Sequence, residues 1–572
     1  MLDTKIVGGT IVDGTGTPGY TGDVGISDGR VVSIGEVTED AAEVVDATGC
    51  IVAPGLIDPH THYDAQLFWD PYASPSNIHG VTTVIGGNCG FTIAPLEPGD
   101  GDYLRRLMAK VEGMDLAALE NGLDWDWESF ADWIGRLDGN IGVNAGFLVG
   151  HCAIRRKVMG ADAVGQEASD EQIEAMEQLL AASIEAGGLG FSTGRGNHED
   201  GNGDPVPSRW ATDEEILRLC RVTGQHEGTT LEVILNGCLD KFADDEIEFI
   251  TAMSVEGRRP VNWNVLTVDS AAPDRHPRQL GAGDYAASKG GRVVALTMPT
   301  IVGMNMSFGT FCAFNLIPRW GEVLNLPLAE RMEKLRDPAV REMMDTISHS
   351  EEAGVFRRLA DWGGYRIGDT FSDENRSLER RYVHEIAEER GTGHFDTLVD
   401  IVLADDLRTV LWPSPTDNDD ASWALRQEVW DHPHAMLGGS DAGAHLDRMC
   451  GAPYGTAFLR DTLRGRKLVS LERAVQMLTS EPAELFGLRD RGVLREGAHA
   501  DVFVFDPDEV GCEPIYLRTD LPGAGKRLYS EPVGVTRVMV NGVTTVIDGQ
   551  QVEGALPGTL IKPGRDTETV LP

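Results

Sequence analysis

The sequence predicts an α/β protein: a (β/α)8 TIM barrel with a small β-sandwich formed from both chain termini. Three observations predict it. Residues 1–53 and 491–572 read as short strands punctuated by glycine turns. Residues 54–490 alternate strand-like and helix-like runs, as such a barrel requires. Reactive side chains fall at the C-terminal ends of the strand-like runs, where barrels of this kind gather their functional groups.

At the N-terminus, Asp13-Gly14 and Asp28-Gly29 are turn signals between alternating apolar runs. The stretches 500–506 and 538–544 repeat the pattern, so the two ends are expected to share one β domain. Within the barrel region, Asp170–Ala186 carries Ile173, Met176, Leu179, Leu180 and Ile184 near helical spacing. Gly187-Gly188 ends that helix and a strand follows at 189–193. Thr212 reads as the N-cap of a further helix, with Glu215 completing a capping box. Strands are expected over 229–235, 260–268 and 292–298. Between about 303 and 392 the rhythm breaks. Helices at 329–335 and 338–347, with Trp320, Trp362 and Tyr365 nearby, form an insertion that either caps the mouth of the barrel or decorates it. Beyond it, 397–404 is helical, 408–412 is a strand, and 436–445 closes the barrel.

Composition narrows the function. The 572 residues exceed one ordinary domain and suffice for a large core. Ninety-one acidic against 49 basic residues leave a net charge of −42, so nucleic acid and anionic membranes are not expected partners. The eight cysteines show no CxxC pair, which excludes a zinc ribbon and makes a disulfide framework unexpected. The first residues lack a basic region followed by an apolar core, and no run approaches the roughly 18 apolar residues of a membrane span. A cytoplasmic protein with a small-molecule substrate is expected; self-association stays open.

The chemistry centres on residues 53–90. His60 and His62 are separated by one residue, and on extended chain residues i and i+2 point to the same face. Two imidazoles so placed suit one metal ion, and zinc is their usual partner. The β-branched run 80–85 then ends in Gly86-Gly87-Asn88-Cys89-Gly90, which puts the Cys89 thiol at the end of a second strand. Arg195, ending another strand, is either a bidentate clamp for a substrate carboxylate or half of a surface ion pair. Asp64 and Gln66 follow the imidazole pair and are candidates for contact with substrate or with the ligands themselves.

Pro54–Asp58 and Gly80–Thr83, flanking the pair, resemble the opening of the amidohydrolase superfamily. The Gly-Asn-Cys-Gly turn at 87–90 resembles the D-aminoacylase, or N-acyl-D-amino-acid deacylase, branch. Residues 478–483 and 492–501 resemble the family's tail. The resemblance implies that Asp441, in Gly439-Ser440-Asp441, touches metal and takes the proton from attacking water. The Gly150–Arg155 segment resembles the family's Gly-His segment, which makes His151 a pocket residue or a structural histidine; His445, four residues past Asp441, is a candidate to orient water or substrate.

One departure stands out: the branch takes metal-binding histidines from strands five and six, and 229–235 and 261–267 contain none. Glu232 and Asn264 are the polar residues nearest those points; His226 and His276 lie outside them. His60, His62 and Asp441 remain, with Cys89 as an added or alternative ligand, which implies one zinc per chain. The expected function is metal-dependent hydrolysis of a linear amide, most simply an N-acyl-D-amino acid. Alternatives are hydrolysis of another C–N bond, mononuclear-metal decarboxylation, or a degenerate barrel serving as a binding or assembly subunit.

Overall fold

The computed structural model describes residues 1–310, 312–415 and 417–572. They form two compact units. One comprises 1–300, 420–446 and 451–572; the other comprises 301–419 and 447–450.

In the first unit both termini share one sheet. Ile51–Pro54 pairs antiparallel with Val502–Phe505, which joins the N-terminal strands to the C-terminal ones. The ladders make a single nine-stranded sheet, branched at Leu2–Ile11, where two stacked layers are expected from the sequence. The branch has a local cause. An irregularity between Ile6 and Gly9 bends this strand, so residues 2–7 pair with Ala41–Asp46 while residues 10–11 pair with Ile51–Pro54. Bulges bend and twist a strand in this way. Ile6, Ile26, Val45, Val52, Val502 and Met539 bury their side chains together against it.

The rest of this unit alternates parallel strands with helices. Leu56–Asp58, Val81–Gly86 and Asn144–Phe147 form one parallel run. Val149–Gly150, Gly190–Gly194, Thr230–Ile234, Val261–Leu266, Val293–Thr297 and Ala435–Leu437 form another. The two runs meet in residues 144–150, one stretch of chain interrupted only at Leu148. At their outer ends, Thr61 bridges Ala442 in parallel and His62 N donates to Ala442 O at 2.7 Å. Most of these strands are buried on both faces, as expected of parallel sheets covered by helices.

Helix starts follow local rules with one instructive exception. Ser169 caps Asp170–Ala186 in a full capping box with Gln172. Thr212 caps Asp213–Thr223 by accepting from Glu215 N, but the Glu215 side chain does not reach back to complete the expected box. It turns inward to His151 and Arg155. A buried guanidinium and imidazole outbid an exposed backbone amide.

The second unit has its own aromatic core. Trp320 and Trp362 stack with centroids 5.6 Å apart, packed by Phe314 and Phe395. Leu328–Arg336, Pro338–His349, Val383–Arg390 and His394–Ala404 are its longer α-helices. The run 393–412, expected beyond the insertion, belongs to this unit, and its strand shrinks to Leu411–Trp412, paired antiparallel with Arg366–Ile367. No helix among the described residues is long and apolar enough to cross a membrane.

Candidate metal centre

Beyond Leu56–Asp58 the chain bends at Pro59 and His60, and Thr61 then forms an isolated bridge. Thr61 N donates to Ile85 O, and the Thr61–Ala442 bridge pins the other side. Both imidazoles are fully buried, with ring centroids 5.4 Å apart and both Nε2 atoms turned to Asp441 Oδ1. The turn after Val81–Gly86 delivers the third donor. Asn88 Nδ2 donates to Thr61 O and Ile85 O, which binds this turn to the imidazole segment. Cys89 takes a left-handed conformation (φ 59°), and its N–H donates to Glu232 Oε2 at 2.7 Å. Gly87 (φ 76°) admits no side chain, because a Cβ there would lie 2.2 Å from Leu148 O.

The donor atoms of His60, His62 and Cys89 lie within 4.8 Å of one another, and Cys89 Sγ is 3.5 Å from His60 Nε2. Asp441, 379 residues from His62, approaches from beyond the last parallel strand. Its Oδ1 is 3.1 Å from His62 Nε2 and 3.5 Å from His60 Nε2. Ser440 steadies this arrival by donating to Asp58 Oδ2. Gly439 (φ 77°) has no room for a Cβ beside Asn264 Oδ1. Zinc bonds of about 2.0–2.1 Å to nitrogen or oxygen and about 2.3 Å to sulfur set neighbouring donors roughly 3.3–3.6 Å apart. The His62–Asp441, His60–Asp441 and His60–Cys89 separations of 3.1, 3.5 and 3.5 Å are close to such edges.

The electrostatics point the same way. Burial pushes His60 down to about 3, keeping it neutral. Burial also opposes a charge on His62, but Glu112, Asp441 and Asp64 outweigh it and carry that imidazole up to about 10. Asp441 is buried, yet His62, His60 and His445 hold it well below the usual carboxylate range. Burial, with Glu232, Glu112 and Asp441 adding, keeps the Cys89 thiol protonated. Burial raises Glu232 to about 8 and Asp64 to about 6. An acid-rich buried site of this kind attracts a cation. His60 Nδ1, His62 Nδ1, Asp64 Oδ1, Glu232 Oε1 and Asn264 Oδ1 are buried without a hydrogen-bond partner.

The other expected residues separate into two groups. Asp64 accepts from Gly87 N at 3.3 Å, and His445 Nε2 lies 3.7 Å from Asp441 Oδ2, so both stand at the cluster. His151 and Arg195 are engaged elsewhere. His151 Nδ1 meets Thr193 Oγ1 and its Nε2 meets Glu215 Oε1, both at 2.8 Å, which leaves neither nitrogen for a substrate. Arg195 donates to Asp213 Oδ1 and Ala211 O and lies over the Phe249 ring. Of the two readings of Arg195, the ion pair is the one formed here. It borders an open cleft of about 340 Å³ with Arg209, Thr212 and Asp213.

Two residues escape sequence reasoning. Glu112 Oε2 reaches 3.6 Å from His62 Nε2. His198, lowered to about 4 by burial and Arg209, lies within electrostatic range of Asp441 and His62. Neither sits in a motif; Glu112 merely follows a helix and His198 lies in a loop. Beside His62 a small cavity of about 10 Å³ is walled by Trp69, Met114, Ala118, Leu119 and Leu446.

Comparison with known proteins places this geometry. A model of the amidohydrolase family matches residues 43–553. An uncharacterized protein of Mycobacterium tuberculosis is 30% identical over 544 residues, covering 88% of this chain and 84% of its own length. The D-aminoacylase of Alcaligenes xylosoxydans xylosoxydans is 28% identical over 514 residues, 89% of each chain. The N-acyl-D-aspartate deacylase of the same organism is 28% identical over 577 residues, 99% of this chain and 96% of its own. The solved N-acyl-D-glutamate deacylase of Bordetella bronchiseptica, complexed with zinc and a phosphonate mimic of the tetrahedral intermediate, is 26% identical. It aligns with a TM-score of 0.64 over 98% of this chain and 99% of that one. With paired histidines, thiol and aspartate gathered at the ends of parallel strands, and with the family match spanning most of its length, this chain belongs to the amidohydrolase family.

Proposed function

We propose that this protein is a metal-dependent amidohydrolase that cleaves the linear amide of an N-acyl amino acid to carboxylate and free amine. The observation that carries the reading is the convergence of His60, His62, Cys89 and Asp441 from three separate strand ends. The preference for a D-amino acid is supported by relatives named for D-substrates. We read the parallel strands as a closed (β/α)8 cylinder, with the 61–442 bridge as its seam.

His60, His62 and Asp441, with Cys89, would hold one zinc ion, the thiol favouring zinc over harder cations. Bound there, the ion supplies Lewis-acid polarisation of the acyl carbonyl and acidifies water. The chain's own residues do the rest. Asp441, ionised across the working pH range, takes the proton at Oδ2 as water oxygen bonds to the acyl carbon. It returns that proton to the amine nitrogen as the C–N bond breaks. His445, beside the same oxygen, orients it. Asp64, held by Gly87 N, steadies the field around His62. The cavity beside His62 has room for about one water molecule. His151 and Arg195 support the frame.

The test combines metal analysis of dialysed protein with a panel of N-acyl-D- and N-acyl-L-amino acids of increasing acyl length. Close to one zinc per chain and turnover of D-substrates are expected. A protein that holds no metal, or turns over no member of the panel, defeats the reading.

A further inference from the structure

Glu112 is a carboxylate in a costly place. It caps the C-terminal end of Gly101–Val111, with its N–H donating to Met108 O. The helix end there already carries partial negative charge, which disfavours an acid. The residue is also only 4% exposed, and a buried carboxylate is unfavourable unless a cation or donors compensate it. Among the described residues, its one basic neighbour within ion-pair distance is His62, at 3.6 Å.

That distance is informative. A charge-assisted hydrogen bond between imidazolium and carboxylate closes to about 2.7–2.9 Å. Glu112 Oε2 instead stands off at 3.6 Å from the same nitrogen, Nε2, that Asp441 Oδ1 approaches to 3.1 Å. Each carboxylate stands from His62 Nε2 at close to the spacing of two donors on one zinc ion, roughly 3.3–3.6 Å. The backbone enforces the arrangement. His445 N donates to Glu112 O, so the residue that ends this helix is tied to the loop that presents Asp441.

We infer that Glu112 is an oxygen ligand to the cation gathered by His60, His62 and Asp441, added to that set from a helix end outside the strand motifs. The inference rests on the metal site proposed above. It makes the centre richer in carboxylate than the two histidines, thiol and aspartate alone, and it supplies a local partner for a charge that is otherwise buried beside a single imidazole.

The test uses full-length protein, with zinc affinity measured by chelator competition and coordination read from the cobalt-substituted absorption spectrum. In Glu112→Gln, which keeps size and shape, zinc affinity should fall about 10- to 100-fold and the cobalt ligand-field bands should change. Glu112→Cys offers a gain of signal: a second thiolate on the ion raises the thiolate-to-cobalt charge-transfer absorbance above that of the wild type. Thermal melting checks that both variants fold. Zinc bound by Glu112→Gln within twofold of wild type, with no added charge-transfer intensity in Glu112→Cys, overturns the inference. His60→Ala separates the two levels. If wild type and His60→Ala hold zinc equally, the metal site itself is misplaced. If only His60→Ala loses zinc, the site stands and Glu112 alone is excluded.

Discussion

Two buried histidine–carboxylate groups sit beyond the ends of two parallel strands, and their difference separates frame from function. Around His151 every polar atom of the ring is used. Thr193 takes one nitrogen, Glu215 the other, and Arg155 pairs with the same carboxylate. Around His60 and His62 the reverse holds: Asp64 Oδ1 and Glu232 Oε1 are buried without partners. Unsatisfied buried polar atoms are costly, so they persist where something outside the chain completes them. A saturated group stabilises the fold. Beside the unsaturated acids, the imidazole Nε2 atoms converge with Asp441 Oδ1 and Cys89 Sγ, the arrangement a cation would complete.

Asp441→Asn should break the comparison most severely. It keeps the shape but removes the proton acceptor, and kcat/KM should drop about a thousandfold in steady-state assays. A loss of less than tenfold would move the base elsewhere. The saturated group should fail in stability and not in chemistry. Glu215→Gln leaves the Arg155 guanidinium buried without its counter-charge, and the expected cost is about 3–5 kcal/mol in denaturant unfolding. Turnover per folded molecule should stay within about twofold, and a large fall in kcat would return His151 to the active site.

Acidity distinguishes the groups again. His62, lifted to about 10 by Glu112, Asp441 and Asp64 against the effect of burial, holds a proton that zinc must displace. Binding therefore releases protons and tightens as pH rises, by at least about tenfold per unit between pH 6 and 9. Calorimetry in buffers of different ionisation enthalpy checks this, and affinity independent of pH would show that the imidazole is already neutral. The smallest effect is expected at Arg195. Its partner Asp213 is 67% exposed, so Arg195→Gln should cost under about 1 kcal/mol and leave KM unchanged. A tenfold rise in KM would restore its role as a substrate clamp.

Legibility in the sequence followed the range of the interactions. The helix Asp170–Ala186 was readable because its apolar stripe and the glycines that end it are local, whereas its Ser169–Gln172 box was not read. The pairing of His60 with His62 was readable from their spacing of one residue, although the chain between strand and bridge is bent and not extended. Glu232 and Asn264 were readable only as polar residues near the right points. That Glu232 grips Cys89 N follows from how two strands align. Glu112 was not readable at all. A glutamate after a helix is ordinarily a solvated end, and only the chain path that brings it under His62 makes it otherwise. The reach of 393–412 into the second core was likewise hidden, since a short apolar helix and strand look alike in either unit.

By itself the sequence determined the strand–helix rhythm, the shared terminal β domain, the imidazole pair with its thiol, and the family to which these motifs point. Those depend on periodicity and on residues close in the chain. The tertiary structure alone decided that Glu112 joins Asp441 beside the imidazoles, which histidine is saturated, and which arginine is already paired. Those outcomes turn on distances of a few ångströms between side chains up to 379 residues apart, and no local pattern records them.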